Sequence, residues 1–171
     1  MPTTEPFERY PAWMVTLSVL HSVSIYALGA YLMAELGTLA LAIYVVFLVW
    51  VELGILRKSC VSCFYYGKLC GLGRGALAAW LFKPGQPRRF AERKVTWHDV
   101  VPDLAAALVP LTIGLVFSIT RFSWPRLTAL VALALLWFVG TALVRGQIAC
   151  AHCAQKALGC PAQKLFERGQ V

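Results

Sequence analysis

Four long apolar runs, at residues 11–34, 38–56, 100–119 and 127–144, constrain this chain more than anything else in it. A helix that crosses a bilayer needs about 20 mostly apolar residues, and each run meets or nearly meets that length. Helices of a water-soluble bundle would keep a polar face, and these runs show little polar periodicity. The balance of 59% hydrophobic to 14% charged residues also lies outside the usual soluble range. The expected fold class is therefore an all-α membrane protein with four transmembrane helices. Glu5, Glu8 and Arg9 ahead of the first run make no basic leader, and no small-residue cleavage site follows it. The first run is thus expected to remain as a span.

The basic residues give an orientation. Fourteen of the sixteen Lys and Arg fall on one side: Arg9, nine from Arg57 to Lys94, and Arg145, Lys156, Lys164 and Arg168. Only Arg121 and Arg126 fall on the other. By the positive-inside rule both termini and the long middle loop are expected in the cytoplasm, making this a multi-pass protein of the inner or plasma membrane. The net charge of +8 is accounted for by this topology, with anionic lipid as a reinforcing partner. Nucleic acid is not an expected partner, because no basic helix or aromatic-interleaved stripe stands apart from the spans. Trp13 and Trp97 are placed to mark the basic interface and Trp124 the opposite one.

All six cysteines lie in two copies of one pattern. Cys60, Cys63 and Cys70 form the first, Cys150, Cys153 and Cys160 the second, each spaced Cys-x2-Cys-x6-Cys and offset by 90 residues. Each triad follows a pair of apolar runs. Residues 81–86 after the first triad (Leu-Phe-Lys-Pro-Gly-Gln) resemble 165–170 after the second (Leu-Phe-Glu-Arg-Gly-Gln). Two matches in the same order predict a tandem duplication. The first repeat is read as residues 1–86, a basic linker as 87–99, and the second repeat as 100–171. Each unit is expected to be a helical hairpin followed by a cytoplasmic cysteine triad. An even number of spans per unit makes the units parallel, related by a pseudo-twofold axis along the membrane normal. Both triads then reach one face and are able to meet at the axis. Residues 75–82 are too short to span and are expected along the interface. Residues 83–94 read as a solvated linker.

Cytoplasmic thiols are kept reduced, so the cysteines point to metal or redox work rather than a disulfide framework. Cys-x2-Cys can clamp one metal, but a tetrahedral centre wants four ligands and each triad offers three. The bacterial ferredoxin run places cysteines at relative positions 0, 3, 6 and 10. Positions 0, 3 and 10 are present here in both copies, while the third is Tyr66 in one and Lys156 in the other. The candidate cofactor- and metal-binding residues are thus all six cysteines, for an iron–sulfur cluster or alternatively zinc. Three arrangements stay open: two three-thiolate sites, one four-cysteine site shared across the axis, or a bridging site using all six. His152 has Ser62 as its counterpart and is expected beside the site rather than as a ligand. Lys58, Lys68, Arg74, Arg145, Lys156 and Lys164 flank the triads as an electropositive cap that would favour thiolate.

Within the spans, His21 lies near mid-bilayer, and hydrogen bonding between helices is the expected role, ahead of haem ligation. Glu52 and Asp103 are expected near the basic interface, paired with Arg57, His98 or Arg145. Gly29, Ala30, Gly140 and Ala142 are candidates for close helix packing. No phosphate-binding loop, Ser-His-Asp set or paired carboxylate stands out, so no catalytic residue is assigned.

Residues 63–75, Arg145–Cys153 and Gly159–Ala162 resemble stretches of uncharacterised prokaryotic integral membrane proteins with duplicated Cys-x2-Cys-x6-Cys motifs. The resemblance covers mainly the triads and their flanks and implies no activity. The leading expectation is an iron–sulfur electron-transfer or redox-sensing subunit, accessory rather than an independent enzyme, with a protein partner or a second copy of itself. A structural zinc-capped scaffold and a soft-metal transport or sensing protein are the alternatives.

Overall fold

Each apolar run forms a helix whose ends are set by the residues flanking it. The structure, a computed structural model, describes residues 6–93 and 96–161. The second Leu-Phe marker at 165–170 lies outside the described residues, as do Lys94, Lys164, Arg168 and the Trp97 side chain. Helix α1 (Ala12–Ala34) begins after Pro11 and α2 (Thr38–Lys58) follows a tight turn. Gly37, at φ +116°, takes the backbone state that lets the chain reverse there. Arg57 and Lys58 sit in the last turn of α2, where the helix dipole favours cations.

A short helix α3 (Arg74–Leu81) and a shorter α4 (Pro87–Glu92) connect the two pairs of long helices. The stretch expected to be a solvated linker therefore contains a helix, started by Pro87 at its first turn. Arg93, just beyond it, bonds Asp99 at 2.7 Å and the Ser59 hydroxyl at 2.8 Å, which ties this segment to both neighbouring helices. Helix α5 (Trp97–Thr120) opens with a capping box between Thr96 and Asp99. Helix α6 (Trp124–Leu135) continues through 136–140 and 142–150 with the wider π hydrogen-bond spacing, which places Cys150 at its end.

The spans Ala12–Ala34, Thr38–Ser62, His98–Thr120 and Trp124–Cys150 are long and apolar enough to cross a membrane. Their outward residues confirm the solvent they need. Leu39, Val46 and Ile119 are 74%, 70% and 76% exposed. Leaving such side chains in water forfeits about 1.5–3 kcal/mol each. This is a multi-pass membrane protein.

Helix α1 is central, packing on α2, α5 and α6. One core cluster joins Ile25 and Leu32 to Ala129 and Leu133; another joins Met33 to Tyr44, Leu48 and Ala106. A proline explains a polar contact in the second. Pro110 has no N–H to give the Ala106 carbonyl one turn earlier, and an unpaired carbonyl in an apolar interior is costly. Tyr44 of α2 donates its hydroxyl to that carbonyl at 2.7 Å. Gly29 makes the reach possible, since a Cβ there would collide with the Tyr44 hydroxyl. Gly140 plays a similar part for His21: a Cβ would stand 2.6 Å from its ring. His21 is buried, with Nε2 3.3 Å from Thr141 Oγ1.

Candidate thiol centre

The first cysteine loop leaves α2 through a 3-10 turn at Cys60–Ser62. The Cys63 amide donates to the Cys60 carbonyl at 3.3 Å, and the Tyr66 amide to the Cys63 carbonyl at 3.0 Å. The loop then doubles back at Gly73, at φ +73°, where the Gly73 amide reaches the Cys70 carbonyl at 2.9 Å. Gly75 follows with its amide 3.3 Å from Cys70 Sγ, and a Cβ there would strike the Tyr65 and Lys68 carbonyls. This return lays α3 against α2.

The second loop shares two backbone hydrogen bonds with the first. The Cys153 amide donates to the Cys150 carbonyl at 3.4 Å, and the Lys156 amide to the Cys153 carbonyl at 3.0 Å. The two loops also bond to each other, and they do so reciprocally. The Phe64 amide donates to Gln155 Oε1 at 2.8 Å, while the Ala154 amide donates to the Tyr65 hydroxyl at 2.9 Å. Residues 64 and 154, and 65 and 155, stand at the same 90-residue offset as the cysteines. Tyr65 and Gln155 are both nearly fully buried, at 2% and 4% exposure.

The N-terminal segment closes this clasp from one side. Tyr65 donates its hydroxyl to the Phe7 carbonyl at 2.6 Å, and the Phe7 amide donates to the His152 carbonyl at 3.0 Å. The Phe7 and His152 rings stack with centroids 4.7 Å apart. Buried Tyr10 donates its hydroxyl to the Ala149 carbonyl, and its amide to the Leu69 carbonyl at 3.1 Å. Cys63, Cys70 and Cys153 pack against the cluster formed by Tyr10, Val15 and Tyr65. His152 is thus held against Phe7.

Burial pushes the Cys63 thiol up, and it pushes Cys153 up to about 11. Opposing this, the Tyr65 amide favours the Cys63 thiolate and the Gln155 amide favours that of Cys153, again at matched positions. Cys63 also feels Cys70 of its own loop and Cys160 of the other. Cys153 feels Cys63, Cys150 and Cys160. Both loops therefore share one thiol neighbourhood.

Of the flanking cations, Arg74 acts on the Cys60 thiol and Arg145 and Lys156 on that of Cys150, each favouring thiolate against burial, while most also hold partners of their own. Arg74 is committed to Glu52 by two bonds, at 2.8 and 2.5 Å, and Lys68 sits 4.4 Å over the Phe64 ring. Arg145 pairs with Asp103 at 3.3 Å, as expected, but Glu52 takes Arg74 rather than Arg57, His98 or Arg145. The reason is the return at Gly73, which carries Arg74 back beside α2.

Six thiols are the donors that soft metals and clusters prefer. Among the described residues, however, no three Cys, His, Asp or Glu side chains stand where they would hold a metal ion. Cys60, Cys63, Cys70, Cys150, Cys153 and Cys160 are all free, with Cys150 exposed and the other five part-buried. Ligation by three or more would need the sulfurs to draw closer. Tyr10, Gln155 and Phe7 are structural members of this centre that the motifs do not reveal; the 90-residue offset applied to Tyr65 is the signal that points to Gln155. No protein-family model, no curated protein and no solved structure matches this chain.

Proposed function

We propose that the two cysteine loops act as one composite thiol centre on the cytoplasmic side of the inner or plasma membrane. In this reading the centre takes up an iron–sulfur cluster, and the chain serves a second protein as an electron-transfer or redox-sensing subunit. The observation that carries the reading is the reciprocal clasp of Phe64 to Gln155 and Ala154 to Tyr65, which joins the two loops. The same exchange supports tandem duplication about a pseudo-twofold axis, with the repeats at 1–86 and 100–171. Loading a cluster would draw the sulfurs inward and replace the thiol protons with metal charge.

A structural zinc is the second reading. It is favoured by the way the clasp fastens the ends of both helix pairs together, which is all that a scaffold requires.

Iron, zinc and acid-labile sulfide measured on protein purified anaerobically in detergent separate these readings. Iron with matching sulfide is the expected result, lost in C63S and C153S. Stoichiometric zinc without sulfide replaces the redox reading with the scaffold. Absence of both metals overturns a resident metal centre.

A further inference from the structure

A second site lies away from the clasp, between α2 and α5, where these helices part toward their basic ends. The two helices touch deeper down, through Tyr44 and Ala106. Above that contact a groove of about 710 Å³ opens, bounded at one edge by Cys160 and Pro161.

The groove is divided along its length. Trp50, Leu53 and Gly54 line its deeper part, and Trp50 is 62% exposed. Arg57, Lys58, Arg93 and His98 line the part nearer the helix ends. Along α2, seven residues separate Trp50 from Arg57, about 10 Å at 1.5 Å per residue. An apolar wall topped by cations at that distance matches acyl chain below and headgroup above.

Charge decides which headgroup. The groove presents Arg57, Lys58, Arg74, Arg93 and Arg145. Against them stand Asp99 and Asp103 in the wall and Glu52 behind Arg74. Asp99 is shared by Arg93 at 2.7 Å and Lys58 at 3.6 Å, and Asp103 holds Arg145. Arg57 is exposed, and its guanidinium has no hydrogen bond or ion pair to any described residue. Five cations thus meet three carboxylates, leaving an excess of two on the polar part.

We infer that this groove binds one anionic phospholipid, its phosphate among Arg57, Lys58 and Arg93 and its acyl chains along Trp50, Leu53 and Gly54. A soluble phosphate would use the cations but leave the apolar wall bare. A zwitterionic lipid would cover the wall but leave the excess charge unanswered. The site meets the thiol centre only at Cys160, on its edge, and none of the residues assigned to the lipid is a cysteine.

Native mass spectrometry of the detergent-purified protein, titrated with phosphatidylglycerol and with phosphatidylcholine of the same chains, tests this. One retained phosphatidylglycerol per chain is expected, bound about tenfold more tightly than phosphatidylcholine. R57Q should lower affinity for phosphatidylglycerol about fivefold and for phosphatidylcholine by clearly less, so that the preference narrows. Gly54→Phe should abolish retention of both lipids, since a Cβ there meets nothing within 4 Å and the ring can enter the groove. Circular dichroism confirms that Gly54→Phe folds; if it does not, the R57Q outcome decides alone. Equal retention of the two lipids by the wild type overturns the proposal, as does an unchanged preference in R57Q. Displacement of phosphatidylglycerol by millimolar inorganic phosphate would make this a free-anion site and overturn the lipid assignment.

Discussion

The two ends of the bundle are closed in different ways. At the end with short turns, one residue does most of the work. Buried Arg126 bonds Glu35 at 2.7 Å, joining the two turns, and also caps the Phe117 and Arg121 carbonyls at the end of α5. At the cysteine end, the chain uses two long loops, the N-terminal segment and a reciprocal clasp. One well-placed arginine closes the end where short turns already tie the helices, whereas the longer connections at the cysteine end are held by many contacts.

The largest break in that comparison is Arg126→Ala. It leaves Glu35 and two carbonyls without their cation and should cost about 3 kcal/mol. Thermal unfolding in detergent should shift down, while maleimide labelling of Cys63 and Cys153 in the folded state stays at the wild-type rate. Tyr65→Phe should move both readouts. It strands the Ala154 amide and the Phe7 carbonyl at a cost of about 2 kcal/mol, and labelling of Cys153 should accelerate. Gln155→Ala strands only the Phe64 amide, for about 1 kcal/mol, with Cys63 labelling as the readout. If the clasp works as a unit, the double variant Y65F/Q155A should lose less than the two single losses added together. The smallest effect is expected midway between the ends. Tyr44→Phe removes the hydroxyl on the Ala106 carbonyl and should cost about 0.6 kcal/mol, with labelling at the cysteines unchanged.

The long helices were legible because length and hydropathy alone determine a span, and the reversal at Gly37 because the turn is too short for any other connection. Asp103 was expected near the basic interface with Arg57, His98 or Arg145 as its partner, and it takes Arg145. Other features were hidden for physical reasons. Arg126 counted in the sequence only as a topological charge, because nothing there shows that Glu35 meets it from the other turn. Glu52 was given the wrong partner because the fold-back at Gly73 depends on a positive φ, which a glycine permits and does not announce. The run ending at residue 144 understated the last helix, since the π-spaced segment through Arg145, Gly146 and Gln147 is not apolar. At the candidate site the cysteine spacing was plain, but the sulfur positions were not. The buried polar partners Tyr10 and Gln155 carry no metal-ligand signature; the 90-residue offset of the cysteines, applied to Tyr65, points to Gln155, and nothing in the sequence points to Tyr10.

Reciprocal exchange of one amide for one side chain is the pattern of an isologous contact, in which two equal surfaces pair face to face. Here that pattern lies within a single polypeptide. The pairing is therefore always one to one and independent of concentration, and no chain need search for its mate. It also frees the two surfaces to diverge. Tyr65 extends its hydroxyl to Phe7, whereas Gln155 turns its amide nitrogen toward the Gly159 carbonyl at 3.5 Å. A true homodimer would have to accept the same residue on both sides; this chain can give one face to the N-terminal segment and leave the other to different use.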